Sequence, residues 1–186
     1  MLYFNSTFED TSVRLKFLSY YQVIEYYYVR ANNILAKNKI IETQSQEGID
    51  HVDIPKIIKQ YNKYSKESEA IRLVLEKAVN VNEFKIWINE NIQRVEYFTQ
   101  NVDDLLSGLN INVLADDRSI ISHLCRRIYS LRCSIVHSKA DSDGITYIPN
   151  LNDIKLVNEI PLMSFIAAKV LESWGANNKH QCEEIL

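Results

Sequence analysis

Glycine and proline are scarce, four and three in 186 residues. So few turn-formers exclude a disordered or collagen-like chain. They also disfavour an all-β sandwich, which needs turns at short intervals. No run approaches the ~18 apolar residues of a membrane span. Cysteine is sparse and odd in number, at three. Cys125 and Cys133 fall on one expected helix, roughly 12 Å apart along its axis, which is too far for a disulfide. No CxxC or HxxxH spacing offers a zinc ligand set. The opening segment MLYFNSTFED has neither a basic n-region nor an apolar h-region. These absences lead us to expect a cytoplasmic protein in a reducing compartment, with no metal, no cofactor and no membrane segment.

Charge is nearly balanced overall, with 21 basic and 24 acidic side chains and a net charge of -3. Its distribution is not balanced. Between positions 118 and 139 stand Arg118, Arg126, Arg127, Arg132 and Lys139, with two histidines and no acid. A cationic strip on an acidic body is able to bind phosphates without making the whole protein adhesive. The plainer reading of such a strip is a solvated helix face.

The remaining pattern is helical. Phe17, Tyr20, Tyr21, Ile24, Tyr28, Ala31 and Leu35 follow the 3, 4, 7 spacing of one helix face and predict a helix over about 12–35, with Ser12 as cap. Residues 38–53 read as a loop. Helices are expected at about 54–63, 66–79 and 82–100, the last with an apolar face of Phe84, Trp87, Ile88, Ile92 and Val95. Residues 101–115 read as a loop or a short extended piece. A key helix follows at about 117–138, capped by Asp116 or Asp117, with Ile121, Leu124, Ile128, Leu131 and Ile135 as its seam. A last helix at about 159–174 carries Ile166, Val170 and Trp174 on one side, with Pro161 near its start and Gly175 past its end. The expected architecture is one all-α domain over 1–186, a bundle of five or six helices with its core at about 12–175 and a polar tail at 176–186.

The candidate chemistry lies at the end of the key helix, where Arg132-Cys133-Ser134-Ile135-Val136-His137 forms an R-x4-H. Histidine ionises near neutrality and suits proton transfer. A guanidinium offers a fixed planar fork of donors to a phosphate. The motif resembles the signature of the HEPN superfamily. The context is similar to the ApeA-like HEPN group, through RIYSLRCSIVHSK at 127–139, RLKFLSYYQVIEYYYVR at 14–30 and NEIPLMSFIAAKVLES at 158–173. The resemblance implies an all-α, metal-independent endoribonuclease working as a homodimer in a toxin or anti-phage defence setting, with RNA as substrate and an antitoxin or sensor as possible partner. It implies His137 as general acid or base and Arg132 as phosphate clamp, yielding a 2′,3′-cyclic phosphate and a 5′-hydroxyl. Arg126, Arg127, Ser134 and Lys139 are the accompanying RNA-binding candidates. Cys133 departs from the Asn, Asp or His that often follows the arginine in active relatives.

Geometry adds a constraint. On a regular helix Arg132 and His137 stand about 140° apart. Either the helix ends at the motif and turns His137 inward, or two copies pool their motifs across a twofold axis. Arg118 and His123 repeat the same spacing on the same helix and serve as a decoy pair. Glu25, set between Ile24 and a run of tyrosines, is expected to be buried and to form a structural ion pair with Arg132 or Arg127. Two rival readings stand beside the ribonuclease. One is a catalytically inactive HEPN module binding RNA or a partner protein; the other is the C-terminal part of a larger defence protein.

Overall fold

The computed structural model describes residues 12–44, 66–100, 108–137 and 152–175, together with Pro55 and Lys59. Among these the secondary structure is helical, with no strand. In chain order the helices are α1 (Val13–Tyr26), α2 (Tyr28–Gln44), α3 (Glu67–Ala78), α4 (Val81–Asn89), α5 (Ile92–Thr99), α6 (Asp117–His137), α7 (Asp153–Leu156) and α8 (Ile160–Gly175). A 3₁₀ turn, Val157–Glu159, joins α7 to α8. The expected all-α bundle is the observed one. Pro55 and Lys59 are helical, and the rest of the segment expected to be a helix at 54–63 lies outside the described residues.

The centre of the bundle is α3, which packs on α6, α8 and α2, while α1 lies along α8. Its buried residues Ala70, Ile71, Val74, Leu75 and Ala78 recur at helical spacing, and the two alanines allow close approach. Phe17, Tyr21 and Ile24 of α1 and Leu162, Met163, Ile166, Val170 and Trp174 of α8 join them in one apolar cluster. Burying each large side chain contributes about 1.5–3 kcal/mol. Trp174 ties the bundle together: its indole N–H donates to the Val74 carbonyl at 3.3 Å, and its ring lies 5.8 Å from that of Tyr27.

Helix boundaries depart from the sequence expectation at three places. The first helix breaks at Tyr27, whose N–H turns back to the Ile24 carbonyl at 3.1 Å while Ala31 resumes the α pattern. The bend carries the Tyr27 ring to Trp174 and Tyr26. Beyond it α2 runs on to Gln44, through a stretch expected to be loop; Asn-Lys-Ile-Ile-Glu-Thr-Gln holds no glycine or proline to stop it. The segment expected as one helix at 82–100 is two. Asn91 interrupts it and caps α5 by accepting from the N–H groups of Gln93 and Arg94 at 2.8 and 3.3 Å. Asn80 does the same for α4. Ser12 stands at the start of α1, but its hydroxyl makes no capping bond.

Candidate functional site

The site is built on α6, the longest described helix. Asp116 initiates it, accepting from the Ser119 N–H at 3.0 Å and the Ser119 hydroxyl at 2.6 Å. Those bonds hold its carboxyl below the usual range. The seam of Ile121, Leu124, Ile128 and Leu131 is buried as its spacing predicts, with Ile135 half-buried. A second column, Arg127, Ser130 and Ser134, is also buried, at 1%, 1% and 0% exposure. These three polar side chains therefore face the interior, and their polar groups need internal partners.

Arg127 has them. Its guanidinium forms a bidentate pair with Glu159 of the 3₁₀ turn, at 3.0 and 2.5 Å, and donates to the Leu109 carbonyl at 2.9 Å. Gly108, at φ +77°, makes the left-handed turn that leads into Leu109. Phe98 and Tyr97 lie 5.0 and 5.3 Å from the guanidinium carbon. Burial works against the cation, and the Glu159 carboxylate outweighs it. Burial, then Glu159, pushes the Tyr97 hydroxyl up. Ser134 donates to the Leu131 carbonyl at 2.8 Å, inside its own helix.

Arg132 stands on the opposite flank, half-exposed. Its Nε lies 3.1 Å from Glu67 Oε1, with the two side chains 20% and 27% exposed. Its guanidinium sits 5.7 Å from the Tyr21 ring centre. The Tyr21 hydroxyl donates to the same Glu67 oxygen, and Tyr28 donates to the Tyr21 hydroxyl at 2.8 Å. Four helices thus meet around one carboxylate: α3 supplies Glu67, α1 and α6 reach it through Tyr21 and Arg132, and α2 braces Tyr21 through Tyr28. Burial raises the Tyr21 and Tyr28 hydroxyls. Burial disfavours the charged Arg132, but Glu67, Tyr21 and the adjoining Cys133 more than offset it.

The expected site residues divide accordingly. Arg126 is exposed. Arg127 and Ser134 are buried and occupied within the core, and Lys139 lies outside the described residues. The cationic strip is therefore split: Arg118 and Arg126 face solvent, Arg127 is enclosed and Arg132 is held by Glu67. The expectation for Glu25 is corrected. Its position, one residue beyond buried Ile24, turns it outward, and it is exposed; Arg127 takes Glu159 and Arg132 takes Glu67 in its place. His137 is the final residue of α6, and the helix stays regular up to it. Their positions therefore remain about 140° apart on the helix. Within one copy α6 does not turn the two onto a common face. The decoy His123 accepts the Asn112 N–H at Nδ1, 3.3 Å away.

Sequence reasoning missed Glu67, Glu159 and the Tyr21–Tyr28 pair as partners. Glu159 had a readable signal, an acid inside the apolar run Val-Asn-Glu-Ile-Pro-Leu. Glu67, in the polar Lys-Glu-Ser-Glu, had none. Among the described residues no group of three or more His, Cys, Asp or Glu side chains could hold a metal ion, and no helix is long and apolar enough to cross a membrane. No protein-family model, curated protein or solved structure matches the chain.

Proposed function

We propose that this protein is a HEPN-type endoribonuclease that cuts RNA without a metal, acts as a homodimer and serves as a toxin or defence effector. The observation that carries the reading is the placement of Arg132. It is a guanidinium at the bundle surface, oriented by a carboxylate and a tyrosine face, five positions before the histidine that ends α6. An oriented guanidinium fits a phosphate and stabilises the charge that develops on a phosphorane. An imidazole serves the ribose 2′-hydroxyl as base or the departing 5′ oxygen as acid. The 140° separation of the two positions is resolved by a second copy, whose His137 faces this copy's Arg132 across a twofold axis.

The ion pair between Arg132 and Glu67 also supports a second reading, a non-catalytic module that binds RNA or a partner protein. In that reading Arg132 is scaffold, and Cys133 beside it agrees with a lapsed site. The test is a labelled single-stranded RNA incubated with wild type, His137→Ala and Arg132→Ala, with and without EDTA. Catalysis predicts cyclic-phosphate ends from wild type in both conditions. It also predicts loss of cleavage with retained binding in His137→Ala, and loss of both in Arg132→Ala. An active His137→Ala protein, or activity abolished by EDTA, leaves the binding module as the better reading.

A further inference from the structure

The carboxylate at the centre of the site has a consequence for how RNA reaches it. Glu67 Oε1 receives Arg132 Nε at 3.1 Å and the Tyr21 hydroxyl, which is itself braced by Tyr28. A carboxylate oxygen therefore already stands at Nε, one of the guanidinium donors that a phosphate oxygen would use. The pair is not sealed in: Arg132 is 20% exposed and Glu67 27%. Arg127 and Glu159, by contrast, are 1% and 2% exposed, and their bidentate pairing leaves no path for exchange. Among the described residues α6 therefore carries one arginine–glutamate pair closed to solvent and another open to it. The open one has its carboxylate on a different helix, α3, at the first residue, where a negative charge is also favoured by the helix dipole when it turns away from Arg132.

We infer that Glu67 is an internal competitor for phosphate at Arg132, a latch that RNA must displace before the site can act. This rests on the ribonuclease or RNA-binding reading of Arg132 and adds its regulation. The Tyr28–Tyr21 relay sets the strength of the latch by holding the carboxylate in place. A half-buried ion pair that solvent still reaches is exchangeable, so freeing Arg132 is expected to tighten RNA binding modestly, about two- to five-fold.

The experiment uses the full chain and a fluorescent single-stranded RNA of about a dozen nucleotides, its 2′-hydroxyls methylated so that it cannot be cut. Binding is read by anisotropy, with folding of each variant checked by circular dichroism. Glu67→Gln keeps the size of the side chain and removes its charge; it should bind two- to five-fold more tightly than wild type. Tyr21→Phe, which loosens the carboxylate without touching its charge, should shift affinity in the same direction and carries the test if Glu67→Gln does not fold. In the Glu67→Gln/Arg132→Ala double variant the gain should vanish. If Arg132→Ala weakens binding but neither release variant tightens it, the latch is wrong and the phosphate role of Arg132 stands. If Arg132→Ala leaves RNA affinity unchanged, the RNA reading of the site fails and the latch fails with it.

Discussion

Arg127 and Glu159, 32 residues apart in the chain, meet face to face inside the core, Nε to Oε2 at 3.0 Å and Nη2 to Oε1 at 2.5 Å. The pair ties the middle of α6 to the turn that launches α8, and the Leu109 carbonyl draws in the loop before α6. Such a pair fixes which faces meet more than it adds net stability, because both charges surrendered their water to form it.

Removing one partner should therefore cost far more than removing both. Glu159→Ala is expected to destabilise the fold by about 3–5 kcal/mol, since it strands a buried cation. Arg127→Met combined with Glu159→Leu should cost clearly less than Glu159→Ala alone. Urea unfolding of the three proteins decides it; a Glu159→Ala midpoint equal to wild type would show that the arginine finds water.

Alkaline pH should unfold the protein through its tyrosines. Burial raises the Tyr21, Tyr28 and Tyr97 hydroxyls above their ordinary 10.0. A raised pKa in the fold means that the stabilisation is whole below pH 10 and is lost as pH climbs beyond it, because only the unfolded chain gains by releasing the proton. Above pH 10 each such tyrosine contributes a slope of about 1.4 kcal/mol per pH unit. Tyr97→Phe should flatten the fall in urea stability between pH 10 and 11.5 by about one such increment. An identical slope in the variant would place the Tyr97 hydroxyl in solvent.

The thiols should be inert in the folded state. Cys125 and Cys133 are free and buried, and burial pushes the Cys125 thiol well above its ordinary value. With Cys182→Ser as background, Ellman's reagent at pH 8 should find no fast-reacting thiol in native protein and two in urea. A fast native reaction would mean that α6 opens locally at one of these positions.

The decoy pair should be dispensable for chemistry. Arg118→Ala and His123→Ala are expected to keep RNA cleavage within about three-fold of wild type, a loss under ~0.7 kcal/mol of transition-state stabilisation. His123→Ala should lose about 1 kcal/mol of stability, because the Asn112 N–H forfeits its acceptor. Initial rates and melting curves on the same preparations separate the two effects. Loss of cleavage in His123→Ala without loss of stability would move the site to the other end of α6.

The elements legible in the sequence were those with clean periodicity. The seam Ile121, Leu124, Ile128 and Leu131 and the α8 face Ile166, Val170 and Trp174 are buried as their spacing foretold. Breaks were harder to read. Asn91 splits what reads as one helix because asparagine's cap bonds compete with a helix that its neighbours would otherwise continue. Around α6 the pattern misled for a different reason. A polar stripe normally faces water, and Arg127, Ser130 and Ser134 face inward only because Glu159, Leu109 and the helix's own carbonyls receive Arg127 and Ser134 there. Those partners lie far away in sequence or on the backbone, where no side-chain pattern records them. Glu25 was misjudged by its neighbours: next to a core residue on a helix is 100° away from the core.

The docking of α1 along α8 also sets an order of events on the ribosome. Phe17, Tyr21 and Ile24 leave the exit tunnel early, and the helix that covers them is among the last described elements to be made. At translation speeds of roughly 5–20 residues per second, the wait is on the order of ten to thirty seconds. Through that interval α3 is available as a provisional surface for α1. An apolar face left uncovered that long is open to aggregation, and a slower or paused synthesis of α8 lengthens the exposure.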